Sequence, residues 1–140
     1  MRWQAEVLCA GVTRGEVLRM DAPLSFWGGV DPASSKVVLA GHPQRGAPIT
    51  GKIIVLPHLI GSSSSSAVLL ELIYRKLNPL ALILGQRDAI LPIGVVVARQ
   101  MGWRAPAVVL LPDPPFVSGD MLSIAEDGSI LTTGSRNTSR

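Results

Sequence analysis

The residue types best suited to chemistry stand together at Gly61, which is followed by five serines, Ser62, Ser63, Ser64, Ser65 and Ser66. By composition a serine run reads as a flexible linker. Here the apolar run 52–56 (KIIVL) precedes it and the helically periodic stretch 67–77 follows, both too hydrophobic to hang on a linker. A serine at such a junction can cap a helix, its oxygen accepting a backbone N–H. The same place suits an anion, because free N–H groups and the positive end of a helix dipole favour a carboxylate, a phosphate or a developing alkoxide. Gly61 lets a ligand approach the backbone closely. Capping and anion binding both stay open on these residues. A triad-type nucleophile is disfavoured: no Gly-x-Ser-x-Gly elbow is present, and nothing ties His42 or His58 to the run. Both histidines are expected in loops, making ordinary hydrogen bonds.

A second group is Ser25, Phe26, Trp27, Gly28 and Gly29. Its glycines permit unusual backbone angles and Trp27 offers a flat wall, so it reads either as a substrate-facing loop or as a packed corner of a sheet. Asp31, before Pro32, is a turn residue. Cys9 is the only cysteine and falls within a predicted strand, as a small buried hydrophobe. A single thiol excludes an internal disulfide framework and points to a reducing cytoplasm. It also excludes a self-contained iron–sulfur site, which takes about three or four thiolates. No metal site is expected in this chain.

These groups must be held by the surrounding elements. Apolar runs and turn signals predict strands at 4–10, 16–20, 37–40, 52–56, 80–84 and 107–111, and a hairpin of 121–125 with 130–133 around Asp127-Gly128. Helices are predicted over 67–77, stopped by Asn78-Pro79, and over 93–101, opened by Pro92 and ended by Gly102. Prolines and glycines leave 21–32 and 41–51 irregular. Strands followed by strand–helix alternation imply an α/β fold: a mixed sheet with packed helices and a β-rich N-terminal layer. Residues 1–133 form one domain in this reading, and 134–140 a flexible polar tail.

Hydrophobic residues make up 47% of the 140-residue chain and charged residues 16%, the composition of a packed domain with part of its apolar surface covered by another subunit. The formal charge is +3, but the basic residues are scattered without interleaved aromatics, so nucleic acid is not an expected partner. Mild positive charge suits a small anionic substrate or an acidic partner surface. Arg2, Gln4 and Glu6 interrupt any secretory core, and no apolar run approaches the ~20 residues of a membrane span. A cytoplasmic location without membrane attachment is expected.

Several blocks together resemble a known family: Gly15-Glu16-Val17-Leu18, the unusual Pro23-Leu24-Ser25-Phe26-Trp27-Gly28-Gly29-Val30-Asp31-Pro32, His42-Pro43, Gly51-Lys52-Ile53-Ile54-Val55-Leu56-Pro57, and Gly61-Ser62 with Val68-Leu69-Leu70-Glu71. They look like the small subunit of aconitase X. The resemblance implies a swivelling β/β/α domain like the small domain of aconitase and isopropylmalate isomerase, paired in a heterodimer with a large subunit that carries an iron–sulfur cluster. It implies a hydro-lyase acting on a small hydroxy acid, active only with that large subunit. A Gly-Ser-Ser-Arg motif supplies a serine base in the related domains. Laid on this chain, Gly61-Ser62 falls on its glycine and first serine, and Ser64 stands where arginine would be. The basic clamp of classical aconitase is thus absent, which argues against citrate. Ile60 also replaces the arginine that often precedes the glycine in related small subunits.

The resemblance therefore makes Ser62 the catalytic base and Ser63, Ser64, Ser25, Trp27, Gly28 and Gly29 the substrate-binding candidates. Known activities of the family are dehydration of cis-3-hydroxy-L-proline and of phosphomevalonate, and the serine run followed by Ala67-Val68-Leu69-Leu70-Glu71 looks more like the former, bacterial type. Without the resemblance, the residues equally describe a non-catalytic module that binds an anion at a helix start or scaffolds a partner.

Overall fold

The structure is a computed structural model and describes residues 1–133. The predicted polar tail at 134–140 lies outside the described residues. Eight strands, β1 (Arg2–Gln4), β2 (Glu6–Cys9), β3 (Thr13–Arg19), β4 (Ile53–Leu56), β5 (Ala81–Leu84), β6 (Ala107–Leu110), β7 (Met121–Ile124) and β8 (Ser129–Thr132), form one sheet in the order β1-β8-β7-β3-β4-β5-β6-β2. Strands β3, β4, β5 and β6 pair in parallel and the remaining pairs are antiparallel, so the sheet is mixed as expected.

The long strand β3 joins the two halves. Its residues Thr13–Glu16 pair with β7, and Val17–Arg19 pair with β4. The two ends of the strand order, β1 and β2, are separated in the chain only by Ala5, so the sheet curls until its edges meet. Ala5 itself donates its N–H to the Gly128 carbonyl at 3.0 Å, and Gly128, at φ +88°, has no room for a side chain there because a Cβ would lie 2.4 Å from the Ala5 oxygen.

Period-two alternation along the parallel strands separates two cores. Ile53, Val55, Ala81, Ile83, Ala107 and Val109 turn inward with Phe116, Leu122, Ile124 and Ile130. Ile54, Leu56, Leu82, Leu84 and Val108 face the opposite way and pack on the helices α2 (Ser65–Tyr74) and α3 (Ile90–Gln100). Leu69, Leu72, Leu91, Val95 and Ala98 supply the helical side of this layer, all at 1% exposure or less. No helix among the described residues is long and apolar enough to cross a membrane.

Five local expectations change. The helix predicted over 67–77 runs from Ser65 to Tyr74, so that two serines of the run belong to it. The single strand predicted over 4–10 is broken at Ala5 into β1 and β2, because its two halves pair with different partners, β8 and β6. Strand β3 starts at Thr13, three residues before the predicted start, because β7 pairs with its first half. The strand predicted at 37–40 does not form: Val37 and Lys36 make isolated bridges to Val30 and Pro48, and the prolines and glycines around them prevent a ladder. Helix α3 starts at Ile90 instead of Pro92, since the Asp88 carboxylate accepts the Leu91 N–H at 2.8 Å and caps the turn before the proline.

Candidate functional site

Three loops leave the carboxyl ends of β3, β4 and β5 on the same edge of the parallel strands, the edge where α/β sheets gather their ligands. The loops are tied together. Leu24 and Leu59 form a parallel bridge, and the Ile60 N–H reaches the Leu24 carbonyl at 3.1 Å. Gln86 Oε1 accepts the Leu59 N–H at 3.1 Å, and Gly85 lies so close to Pro57 that a Cβ would sit 2.4 Å from its carbonyl oxygen.

The serine run continues from this clamp into α2. The Ser65 N–H bonds the Ser62 carbonyl at 3.0 Å, and Ala67 and Val68 both bond the Ser64 carbonyl. The hydroxyl of Ser62 accepts the Ser64 N–H at 3.4 Å, a long and weak contact that holds the side chain over the first turn. Ser62 is half-buried, while Gly61, Ser63 and Ser64 are exposed. Ser64, at the N-cap position, makes no side-chain cap bond. The amide N–H groups of Ser62, Ser63 and Ser66 find no acceptor among the described residues, so the helix start presents open donors to its surroundings. A Cβ at Gly61 would meet nothing within 4 Å, which leaves its backbone approachable.

The second group stands beside the first. The short element α1 (Phe26–Gly29) is a turn and not a helix: Trp27 has φ −70° and ψ 118°, and Gly28 has φ +77° and ψ −11°. These are type II β-turn angles, in which the third residue needs the left-handed region that glycine enters freely. The turn throws Trp27 outward, 61% exposed, while Phe26 is fully buried. Gly29 is buried as well, and a Cβ there would lie 2.7 Å from Leu24 Cδ1.

Ser65 connects the groups. It is 3% exposed; its hydroxyl accepts the Trp27 N–H at 3.1 Å and shares a hydrogen with Ser25 Oγ at 3.2 Å. Of the predicted residues, Ser25 and Trp27 are thus drawn to the serine run, with Gly28 in the same turn, and Gly29 supports the turn from behind. Sequence reasoning passed over Ser65. The signal was its spacing: Ser65 stands three, four and seven residues before Val68, Leu69 and Leu72, on the buried stripe of α2. Helix α3 braces the same turn, because Gly94 packs against it where a Cβ would be 2.8 Å from the Ser66 carbonyl oxygen.

Among the remaining candidates, His42, Asp31 and Cys9 make local structural contacts. His42 is buried, its Nδ1 accepting the Gln44 N–H and its Nε2 meeting the Ala22 carbonyl, both at 3.0 Å. That arrangement uses both ring nitrogens and places the proton on Nε2. His58 is exposed in the loop after β4. Asp31 organises a turn, accepting the Ala33 N–H and the Ser34 hydroxyl, which hold its carboxyl below the usual aspartate range. Burial pushes the Cys9 thiol up, with Arg99 opposing, and its sulfur lies 3.8 Å from the Pro92 carbonyl.

The described residues do not fit an iron–sulfur cluster. The one cysteine is buried in the core, and no three His, Cys, Asp or Glu side chains among them gather as a metal site. A cleft of about 720 Å³ lined by Thr50, Tyr74, Lys76, Trp103 and Arg104 opens at the other end of the parallel strands. The donors at the start of α2 lie instead among the exposed residues Gly61, Ser63 and Ser64.

Comparison with known proteins matches residues 2–133 to the family described as the aconitase X swivel domain. The cis-3-hydroxy-L-proline dehydratase of Pseudomonas aeruginosa is 40% identical over 104 residues, which are 74% of this chain and 18% of that protein. This chain therefore spans less than a fifth of that relative. The phosphomevalonate dehydratase small subunit of Methanothermobacter thermautotrophicus is 32% identical over 127 residues, 91% of this chain and 88% of that one. The crystal structure of aconitase X from Thermococcus kodakaraensis in its holo form superposes with a TM-score of 0.86 at 28% identity, covering 96% of this chain and 99% of that one.

Proposed function

The chain belongs to the aconitase X swivel domain family, and from that premise we propose that it is the small subunit of a two-part dehydratase acting on cis-3-hydroxy-L-proline. The observation that carries this is the half-buried hydroxyl of Ser62 at the start of α2, beside open amide donors and the exposed Gly61, Ser63 and Ser64. A large subunit completes the site and brings the iron–sulfur cluster, and this chain's share of the reaction is the proton. The alkoxide of Ser62 removes the hydrogen α to the substrate carboxylate, the C–H electron pair forms the new double bond, and the β-hydroxyl departs with the C–O electron pair. Taking up one proton it becomes water, and release of the proton that Ser62 accepted restores the alkoxide, so the net loss from substrate is one water. A serine is a poor base in bulk water. It becomes competent where amide N–H groups and a helix dipole stabilise its anion and the closed site excludes solvent. The long Ser64 N–H contact to Ser62 Oγ is of the kind that shortens on closure.

In this reading Ser63, Ser64, Trp27 and Gly28 face the substrate, and Ser25 and Gly29 support them from behind. The cytoplasm fits the buried free thiol of Cys9. The proline-type substrate is favoured by relatives at 40% and 43% identity. Phosphomevalonate is the second reading, favoured by separate small subunits of comparable length. The test is reconstitution. Mixed with a larger, cysteine-rich partner, the chain should dehydrate cis-3-hydroxy-L-proline faster than phosphomevalonate, while neither chain alone turns over. A complex inert to both, or full turnover by one chain alone, refutes the proposal.

A further inference from the structure

We infer that Ser65 is a positioning residue: its buried hydroxyl fixes the Trp27 turn against the serine run and so sets substrate binding. The inference deepens the reading of the site given above and rests on it. Two surface features, a two-residue turn tip and a helix start, come from segments about forty residues apart. Beyond the Leu24–Leu59 bridge behind them, the side chain of Ser65 links the two. Ser65 Oγ accepts the Trp27 N–H at 3.1 Å and exchanges a hydrogen bond with Ser25 Oγ at 3.2 Å, at 3% exposure. The turn itself needs Gly28 at φ +77°, where an added Cβ would meet nothing within 4 Å, so nothing packs against that side of its tip. Trp27 is 61% exposed. The hydrogen bond to Ser65 therefore ties the Trp27 main chain to the helix turn that begins at Ser62, three residues before Ser65.

Removing the Ser65 hydroxyl leaves Ser62 and its contact to the Ser64 N–H in place. Its effect should fall on interactions made equally with substrate and transition state, and hence on KM.

The experiment has two arms. In the isolated full chain, amide exchange at Trp27 is followed by nuclear magnetic resonance in wild type, Ser65→Ala and Ser65→Thr. In the assembled enzyme, kcat and KM are measured for the same three. Loss of one buried hydrogen bond should speed Trp27 exchange about tenfold in Ser65→Ala and raise KM about tenfold, with kcat within about twofold. Ser65→Thr, which keeps the hydroxyl, should restore both. If Ser65→Ala does not fold, Ser65→Cys carries the test, since sulfur fills the volume but accepts weakly. Unchanged Trp27 exchange, or a fall in kcat at constant KM, overturns the inference. Because the exchange arm needs no turnover, it stands even if the assembled enzyme proves inert, an outcome that would sink the functional reading alone.

Discussion

Gly94→Ala sets two opposing effects against each other at the back of the candidate site. A glycine inside a helix costs about 1 kcal/mol relative to alanine, so the substitution should stabilise α3 by roughly that amount if nothing else changed. The structure opposes this. The new methyl would lie 2.8 Å from the Ser66 carbonyl oxygen, where ordinary contact begins at 3.4 Å, and 3.6 Å from Leu69 Cβ. The obstructing atom belongs to main chain in the first turn of α2, so it cannot rotate away as a side-chain tip would. Over-packing of this kind costs about 1–3 kcal/mol. The net is a loss of about 0–2 kcal/mol, with α2 pushed outward at the turn that carries Ser62 to Ser66. Calorimetry should find Tm lowered by up to about 6 °C for a domain of this size. Urea denaturation should give the same sign, and turnover of the assembled enzyme should fall with it. A rise in Tm of about 3 °C, the full helix-propensity gain, would refute the reasoning, because it would mean that the two helices do not approach this closely.

Gly28→Ala should cost about 1–2 kcal/mol although the new methyl would meet nothing within 4 Å, because the penalty is the left-handed backbone alone, and urea unfolding measures it. An unchanged midpoint would contradict the type II turn. Cys9 should resist alkylation by iodoacetamide in the native chain and react readily in urea, since burial both shields the thiol and raises its pKa. The Asp127 carboxyl accepts the Ser129 N–H, which holds it below the usual aspartate range. A carboxyl depressed on folding contributes stability above its unfolded pKa and loses it as pH falls through the folded value. Thermal scans should therefore show wild type gaining over Asp127→Ala at neutral pH and the difference shrinking below about pH 4; a pH-independent difference would contradict this.

The parallel strands were legible because 52–56, 80–84 and 107–111 are apolar on both faces, and a strand buried on both faces needs no alternation. The curl of the sheet was not legible: only pairing shows that residues on either side of Ala5 belong to opposite edges. At 37–40 the apolar run misled, since Val37 is fully buried while Val38 is 41% exposed and the flanking turns supply no partner strand. The end of α2 carried no glycine to mark it. Lys76 takes the left-handed position instead, at φ +61°, and Leu77 closes the cap by donating its N–H to the Leu72 carbonyl. At the site, the sequence pointed to Ser62 and to the Trp27 turn through family resemblance. It was silent on what joins them, because Ser65 looked like one more serine in a run until the helix phase placed it inward.

The central claim is that a hydroxyl at position 62 takes the substrate proton in a site that another polypeptide completes. Ser62→Ala tests it most directly, assayed as complex purified by size exclusion and matched to wild type in assembly and Tm. The half-exposed hydroxyl contributes little to stability. Turnover should fall by about 10²–10⁴ with assembly unchanged. A correctly assembled variant that dehydrates substrate at the wild-type rate would contradict the account.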